Sequence, residues 1–139
     1  MVQKLAWIFG IVMLAVGVLG FVPGITGGGM LLGLFEVDTM HNIVHILTGI
    51  VAVAIAAVLG AYARLFFRVF GVVYGLVAVL GLTMGGNVLG MHMNMLDHLL
   101  HVAIAAFALY VGFALKDSPV VSMSSASAPS SMPSSGSTM

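Results

Sequence analysis

Four apolar runs, about Leu5–Val22, His41–Leu59, Leu65–Met84 and Leu96–Leu115, fill most of the first 116 residues, and Gly-rich or polar stretches separate them. Each run is close to the ~20 residues that cross a ~30 Å hydrocarbon layer at 1.5 Å per residue. The pattern predicts four transmembrane α-helices. The first run, flanked by Lys4, has the outline of a secretory signal, but it is longer than the usual apolar region of such a signal. It also matches an internal helix residue by residue, so it reads as a retained span.

That match is part of a longer one. Phe9-Gly10-Ile11-Val12 and Val18-Leu19-Gly20 recur 61 residues later as Phe70-Gly71-Val72-Val73 and Val79-Leu80-Gly81. His41-Asn42-Ile43-Val44-His45 aligns, at an offset of 56, with Asp97-His98-Leu99-Leu100-His101. The fall from 61 to 56 shortens the second connection by five residues. The expected fold is therefore an all-α integral membrane protein: four transmembrane helices as a tandem duplication of a two-helix hairpin. Residues 1–117 form the four-helix domain, with repeat 1 at about 5–60 and repeat 2 at about 65–116. Two spans per copy bring both copies into the membrane the same way, related by a pseudo-two-fold axis along the membrane normal. Ser118–Met139, uncharged and rich in Ser, Pro and Met, is expected to be a disordered tail.

Composition sharpens the class. The chain is 61% hydrophobic and 6% charged, against roughly 25% charged in a soluble domain. Four Lys+Arg and a net charge of zero exclude a nucleic-acid footprint. There is no cysteine, and all ten serines lie at Ser118 or later. The apolar body thus lacks the usual nucleophiles, and no catalytic residue is assigned: the expectation is a protein that is not an enzyme. Lys4, Arg64, Arg68 and Lys116 flank the N-terminus, the second-to-third connection and the end of the fourth helix, while the connections at Pro23–Met40 and Gly85–Met95 carry no Lys or Arg. By the positive-inside rule both termini and the tail are cytoplasmic and the two Gly-rich loops face outward.

Candidate chemistry lies at the outer ends of the second and fourth helices. Asp38 and Asn94, 56 apart, are good N-cap residues. Counting from them puts His41 and Asp97 at the third helical position, Asn42 and His98 at the fourth, and His45 and His101 at the seventh, roughly 10 Å below the helix start. Ionisable side chains at that depth are costly and are commonly paired or functional. Below each histidine runs a stripe of small residues: Gly49, Ala52 and Ala56 in the second helix, Ala105, Ala108 and Gly112 in the fourth. Such stripes let membrane helices approach closely, so the second and fourth helices are expected to pack on each other, with the histidines facing across the seam.

Several readings of this cluster stand side by side. In the leading one, His41, Asn42, His45, Asp97, His98 and His101 form an interhelical hydrogen-bond latch, with Asp97 bonded to His101 one turn on, in a structural or accessory membrane protein. In the alternative, His41, His45, Asp97 and His101 are two i,i+4 pairs that converge on zinc or another divalent ion. A b-type haem between His45 and His101 is a second version of ligand binding. The outward run Met91, His92, Met93 and Met95 offers thioether and imidazole groups suited to copper, or simply apolar filler. A proton or small-ion conductor is the third class, disfavoured because only Gly and Ala lie beneath the histidines on the proposed seam.

At these residues the chain resembles a small bacterial four-span family catalogued as domain of unknown function 4383. The resemblance rests on the outward turn before the second helix, on His41-Asn42-Ile43-Val44-His45-Ile46-Leu47-Thr48-Gly49, on Phe70-Gly71-Val72-Val73-Tyr74, and on Asp97-His98-Leu99-Leu100-His101. It covers about Lys4–Leu115. The family pattern usually has Asn where this chain has His98, and the Met-rich loop and the tail lie outside it. The resemblance implies four helices and a multi-pass location in the bacterial inner membrane, and no activity. Partners in reach of such a protein are the lipid bilayer, a second copy of itself or a larger membrane complex.

Overall fold

The computed structural model describes residues 1–116. Four long helices carry the fold: α1 (Val2–Leu19), α2 (Thr39–Val58), α3 (Ala63–Met84) and α4 (Met95–Leu109), the last continuing through a π-helical turn at Tyr110–Ala114. A 3-10 turn at Gly60–Tyr62 joins α2 to α3. All four helices are long and apolar enough to cross a membrane, so this is a multi-pass membrane protein. The expected tail, Ser118–Met139, lies outside the described residues.

Side-chain chemistry fixes the starts of α2 and α4. The Asp38 carboxylate accepts the His41 N–H at 2.8 Å and begins α2. At α4, Asn94 accepts the Asp97 N–H at 3.1 Å while the Asp97 carboxylate accepts the Asn94 N–H at 2.9 Å, a complete capping box. Helix α3 ends at Gly85, whose φ of 75° is the left-handed conformation a C-terminal stop requires.

The two Gly-rich connections contain small antiparallel ribbons. The first joins β1 (Thr26–Gly27), β2 (Met30–Leu31) and β3 (Phe35–Glu36); the second pairs β4 (Asn87–Val88) with β5 (Met91–His92). The tip of the second ribbon is Leu89-Gly90, both at positive φ (54° and 84°), and the Leu89 side chain is exposed. Two left-handed residues suit the twist of a two-residue hairpin.

Packing differs from the expected seam in one respect. Helix α2 lies against α1, and α3 against α4. A Cβ placed on Gly49 would stand 2.7 Å from the Leu14 main-chain N and 2.8 Å from the Gly10 O, both on α1. One placed on Gly10 would reach the Val53 N at 2.9 Å, and one on Gly17 the Ile46 N at 2.9 Å. In the other pair, Gly71 sits 2.9 Å from the Leu109 N on the same measure and Gly112 2.9 Å from the Arg68 N. The small residues Gly49, Ala52, Ala56, Ala105, Ala108 and Gly112 are indeed buried, but the close backbone contacts run within each hairpin rather than between α2 and α4. The reason is that both members of each hairpin carry glycine at the crossing, so backbone meets backbone there.

The space between the two hairpins is filled by aromatic rings. Phe9 of α1 meets Phe66, Phe67 and Phe70 of α3 at centroid distances of 6.1, 5.7 and 4.8 Å, and Phe70 stacks on Tyr74 at 3.9 Å. At the far end from the loops, Arg64 donates to the Leu115 O at 2.7 Å and Arg68 to the Gly112 O at 2.8 Å, meeting carbonyls of the widened last turn of α4.

Candidate metal centre of three buried histidines

The capped start of α2 turns the third and seventh residues of the helix toward the bundle axis, and α4 supplies a third ring from its own seventh position. His41, His45 and His101 come together there: one ring nitrogen from each lies within 4.8 Å of the others, and all three side chains are buried. The ring centroids are 4.7 Å apart for His41–His45, 5.7 Å for His41–His101 and 6.3 Å for His45–His101. Tyr74 of α3 stacks on His101 at 5.5 Å and donates or accepts a 3.4 Å hydrogen bond with Thr48 of α2.

The hydrogen bonds of these rings are few. His101 Nδ1 lies 2.6 Å from the Asp97 main-chain O, which only accepts, so Nδ1 carries the proton and Nε2 presents its lone pair. His41 Nδ1, both nitrogens of His45 and His98 Nδ1 are buried with no hydrogen-bond partner among the described residues. The latch requires the opposite, since buried imidazoles that hold helices together do so through bonded nitrogens.

Asp97 does not join the ring cluster. Its carboxylate accepts the main-chain N–H of Asn94 and, from the first ribbon, that of Glu36 at 2.9 Å. It caps helix α4 and ties down that ribbon, and its main-chain oxygen is the atom that meets His101. The expectation of an Asp97 carboxylate bonded to His101, or ligating a metal beside it, is corrected on this point. The signal was in the sequence: Asn94 and Asp97 three residues apart before an apolar run spell a capping box.

Asn42 and His98 occupy matching places away from the three rings. Asn42 packs its amide onto Gly20 of α1, and His98 packs its imidazole onto Gly81 of α3. Both glycines provide the room that any side chain there would take.

The Met-rich run does not converge on an ion. Met91 and Met93 are buried with Val88 in a small apolar cluster against Val44 and Val77, whereas His92 and Met95 are exposed. Period-two alternation along the ribbon sends successive side chains to opposite faces, which separates the thioethers from the imidazole. The His92 main-chain N–H instead donates to the Asp38 carboxylate at 2.7 Å. Burial works to raise the Asp38 carboxyl, but the N–H groups of His41 and His92 outweigh it and hold the group below its ordinary value. Thus the cap of α2 secures the second ribbon and the capping box of α4 secures the first.

The His41 ring, 4.7 Å from His45 and 5.7 Å from His101, stands beside the axis joining those two rings, in the space that a porphyrin ligated by both would need. Beneath the cluster, Tyr74, Phe70, Phe66 and Phe9 form a continuous aromatic column, so the described residues present no polar path toward the other side.

Comparison with known families decides the relationship that the residues point to. The family described as "Domain of unknown function (DUF4383)" matches residues 3–114. The chain belongs to this family. Except for Val2, the four helices fall within the matched DUF4383 span, as do both ribbons and the three histidines. No curated protein and no solved structure gives a match.

Proposed function

We propose that this DUF4383 protein is a non-enzymatic membrane protein that holds a divalent transition metal of the zinc class on His41, His45 and His101. One observation carries the reading: three buried imidazoles converge while three of their six ring nitrogens are buried without a hydrogen-bond partner among the described residues. Leaving buried polar groups unmet costs roughly 1–3 kcal/mol each, and a metal relieves that cost by taking one lone pair per ring. Zn–N bonds of about 2.0–2.1 Å in a tetrahedron set the nitrogens about 3.3 Å apart, so the observed spread closes by small ring movements. The His101 Nδ1–H donated to a carbonyl is the outer hydrogen bond that metal-ligating histidines ordinarily make.

The same proposal includes the duplication. Caps at Asp38 and Asn94, and the paired contacts Asn42–Gly20 and His98–Gly81, recur at the sequence offsets of 56 and 61. The bacterial inner membrane, with both termini cytoplasmic and the ribbons outside, is the location that the four basic residues support.

Zinc titration of metal-stripped protein in detergent tests the reading. Wild type and His98→Asn are expected to bind one equivalent, and His45→Asn and His101→Asn none, with helical circular dichroism unchanged in all four. No binding by wild type, or equal loss in His98→Asn, would sink it.

A further inference from the structure

At the end of the bundle away from the ribbons, α4 changes pitch. The Leu115 N–H bonds the Tyr110 O, five residues back, at 2.9 Å. The Val111 and Gly112 carbonyls are met instead by guanidinium groups of α3, from Arg64 at 3.4 Å and Arg68 at 2.8 Å. Arg64 also donates to the Leu115 O at 2.7 Å. Arg68 is held in another way. A Cβ on Gly112 would stand 2.8 Å from the Arg68 Cγ, so glycine there leaves the course of the stem open. Nε donates to the Gly112 O, and the guanidinium carbon lies 5.1 Å from the centre of the Phe113 ring. Stem, one nitrogen and one face are thus engaged. The N–H groups on Nη1 and Nη2 have no partner among the described residues.

Arg68 is exposed, and so are Phe113 and the neighbours of Arg68 on the helix surface, Leu65 and Val72. Residues 69–84, which complete α3, cover about 24 Å at 1.5 Å per residue, less than a ~30 Å hydrocarbon layer. Arg68 therefore sits where acyl chains give way to headgroups, and lipid phosphates are the anions at that depth. Charge selects among headgroups. Lys4, Arg64, Arg68 and Lys116 all lie at this end, and the described carboxylates, Glu36, Asp38 and Asp97, all lie at the other. In a zwitterionic lipid the ammonium neutralises its own phosphate and is repelled by these four cations. A soluble phosphate would have to leave water for an apolar surface to reach the same nitrogens.

We propose that Arg68, positioned by Gly112 and Phe113, binds an anionic phospholipid, whose phosphodiester accepts two parallel N–H bonds from the guanidinium. The site lies at the opposite end of the bundle from the histidines and needs no metal.

Full-length protein is purified into dodecyl maltoside containing equal amounts of phosphatidylglycerol, phosphatidylethanolamine and phosphatidylcholine with matched chains, and bound lipid is counted by native mass spectrometry. One phosphatidylglycerol is expected per protein, held about tenfold better than either zwitterionic lipid. Arg68→Gln and Arg68→Lys are expected to bring its retention down to the zwitterionic level, the second because an ammonium keeps the charge without the fork. Lys4→Gln, which removes the same charge from α1, is expected to leave it unchanged. Equal retention of the three lipids, full retention by either Arg68 variant, or an equal loss in Lys4→Gln would overturn the proposal, the last by reducing the effect to net charge. Displacement by millimolar glycerol phosphate would overturn it too, since the site would then take a soluble anion. Should the Arg68 variants lose helical circular dichroism, Phe113→Leu decides, because it leaves the Arg68 bond to the Gly112 carbonyl in place. It is expected to weaken retention severalfold, and no change there would overturn the proposal.

Discussion

Replacing Gly49 with alanine tests how the helices are paired. The added methyl would sit 2.7 Å from the Leu14 main-chain N and 2.8 Å from the Gly10 O, and neither atom can swing away as a side chain would. Ordinary contact begins near 3.4 Å, so α1 and α2 must separate by a good fraction of an ångström along the hairpin. Overpacking of this kind costs typically about 1–3 kcal/mol. Alanine in a helix interior recovers about 0.8–1 kcal/mol relative to glycine, which leaves a net loss of up to about 2 kcal/mol. Gly75→Ala is the internal control: its methyl meets only the Ala105 Cβ, at 3.9 Å, and the change is expected to be neutral or stabilising by up to about 1 kcal/mol. Unfolding by sodium dodecyl sulfate in mixed micelles, followed by circular dichroism, reads both variants. A Gly49→Ala protein as stable as wild type, or a Gly75→Ala protein equally damaged, would refute the hairpin packing.

Three further outcomes follow from the same geometry. A reporter fused after Lys116 is expected in the cytoplasm and one inserted near Gly28 outside; both on one side would contradict an even number of spans. Leu89→Asn supplies the Asn-Gly pair that a two-residue hairpin favours and relieves a bulky residue at φ 54°, so thermal stability should rise by about 1 kcal/mol; a loss would show that Leu89 does more than turn the chain. Because the Asp38 carboxyl lies below its ordinary value of 3.8, its stabilising effect is present above that pH and disappears as the pH falls through the lowered value. Wild type should therefore melt above Asp38→Ala near neutrality and converge with it in acid, and a gap that persists to pH 2 would contradict the capping role.

The helices were legible because nothing else accounts for runs of twenty apolar residues, and the caps at Asp38 and Asn94 were legible because short polar side chains precede those runs. The stripe of small residues announced close packing without naming the partner. Gly49 pairs with Gly10 only in three dimensions, and the repeat's symmetry pointed equally well to α4. His41, His45 and His101 could be placed on one face each by helical period, but their convergence depends on how the hairpins dock, which the Phe9 and Phe70 rings govern. Asp97 was misplaced because its spacing to His101 suits a hydrogen bond as well as its spacing to Asn94 suits a cap; the cap satisfies two main-chain donors and wins. The Met91–Met95 run looked like a ligand set until ribbon alternation divided it.

The central claim is a metal held by three imidazoles, and X-ray absorption at the zinc edge on stoichiometrically loaded protein tests it most directly. The account predicts an inner shell of three nitrogens at about 2.0–2.1 Å plus one further oxygen or nitrogen ligand, with the outer scattering of three imidazole rings. A shell of oxygens without imidazole scattering, or the same spectrum from His45→Asn protein, would contradict it.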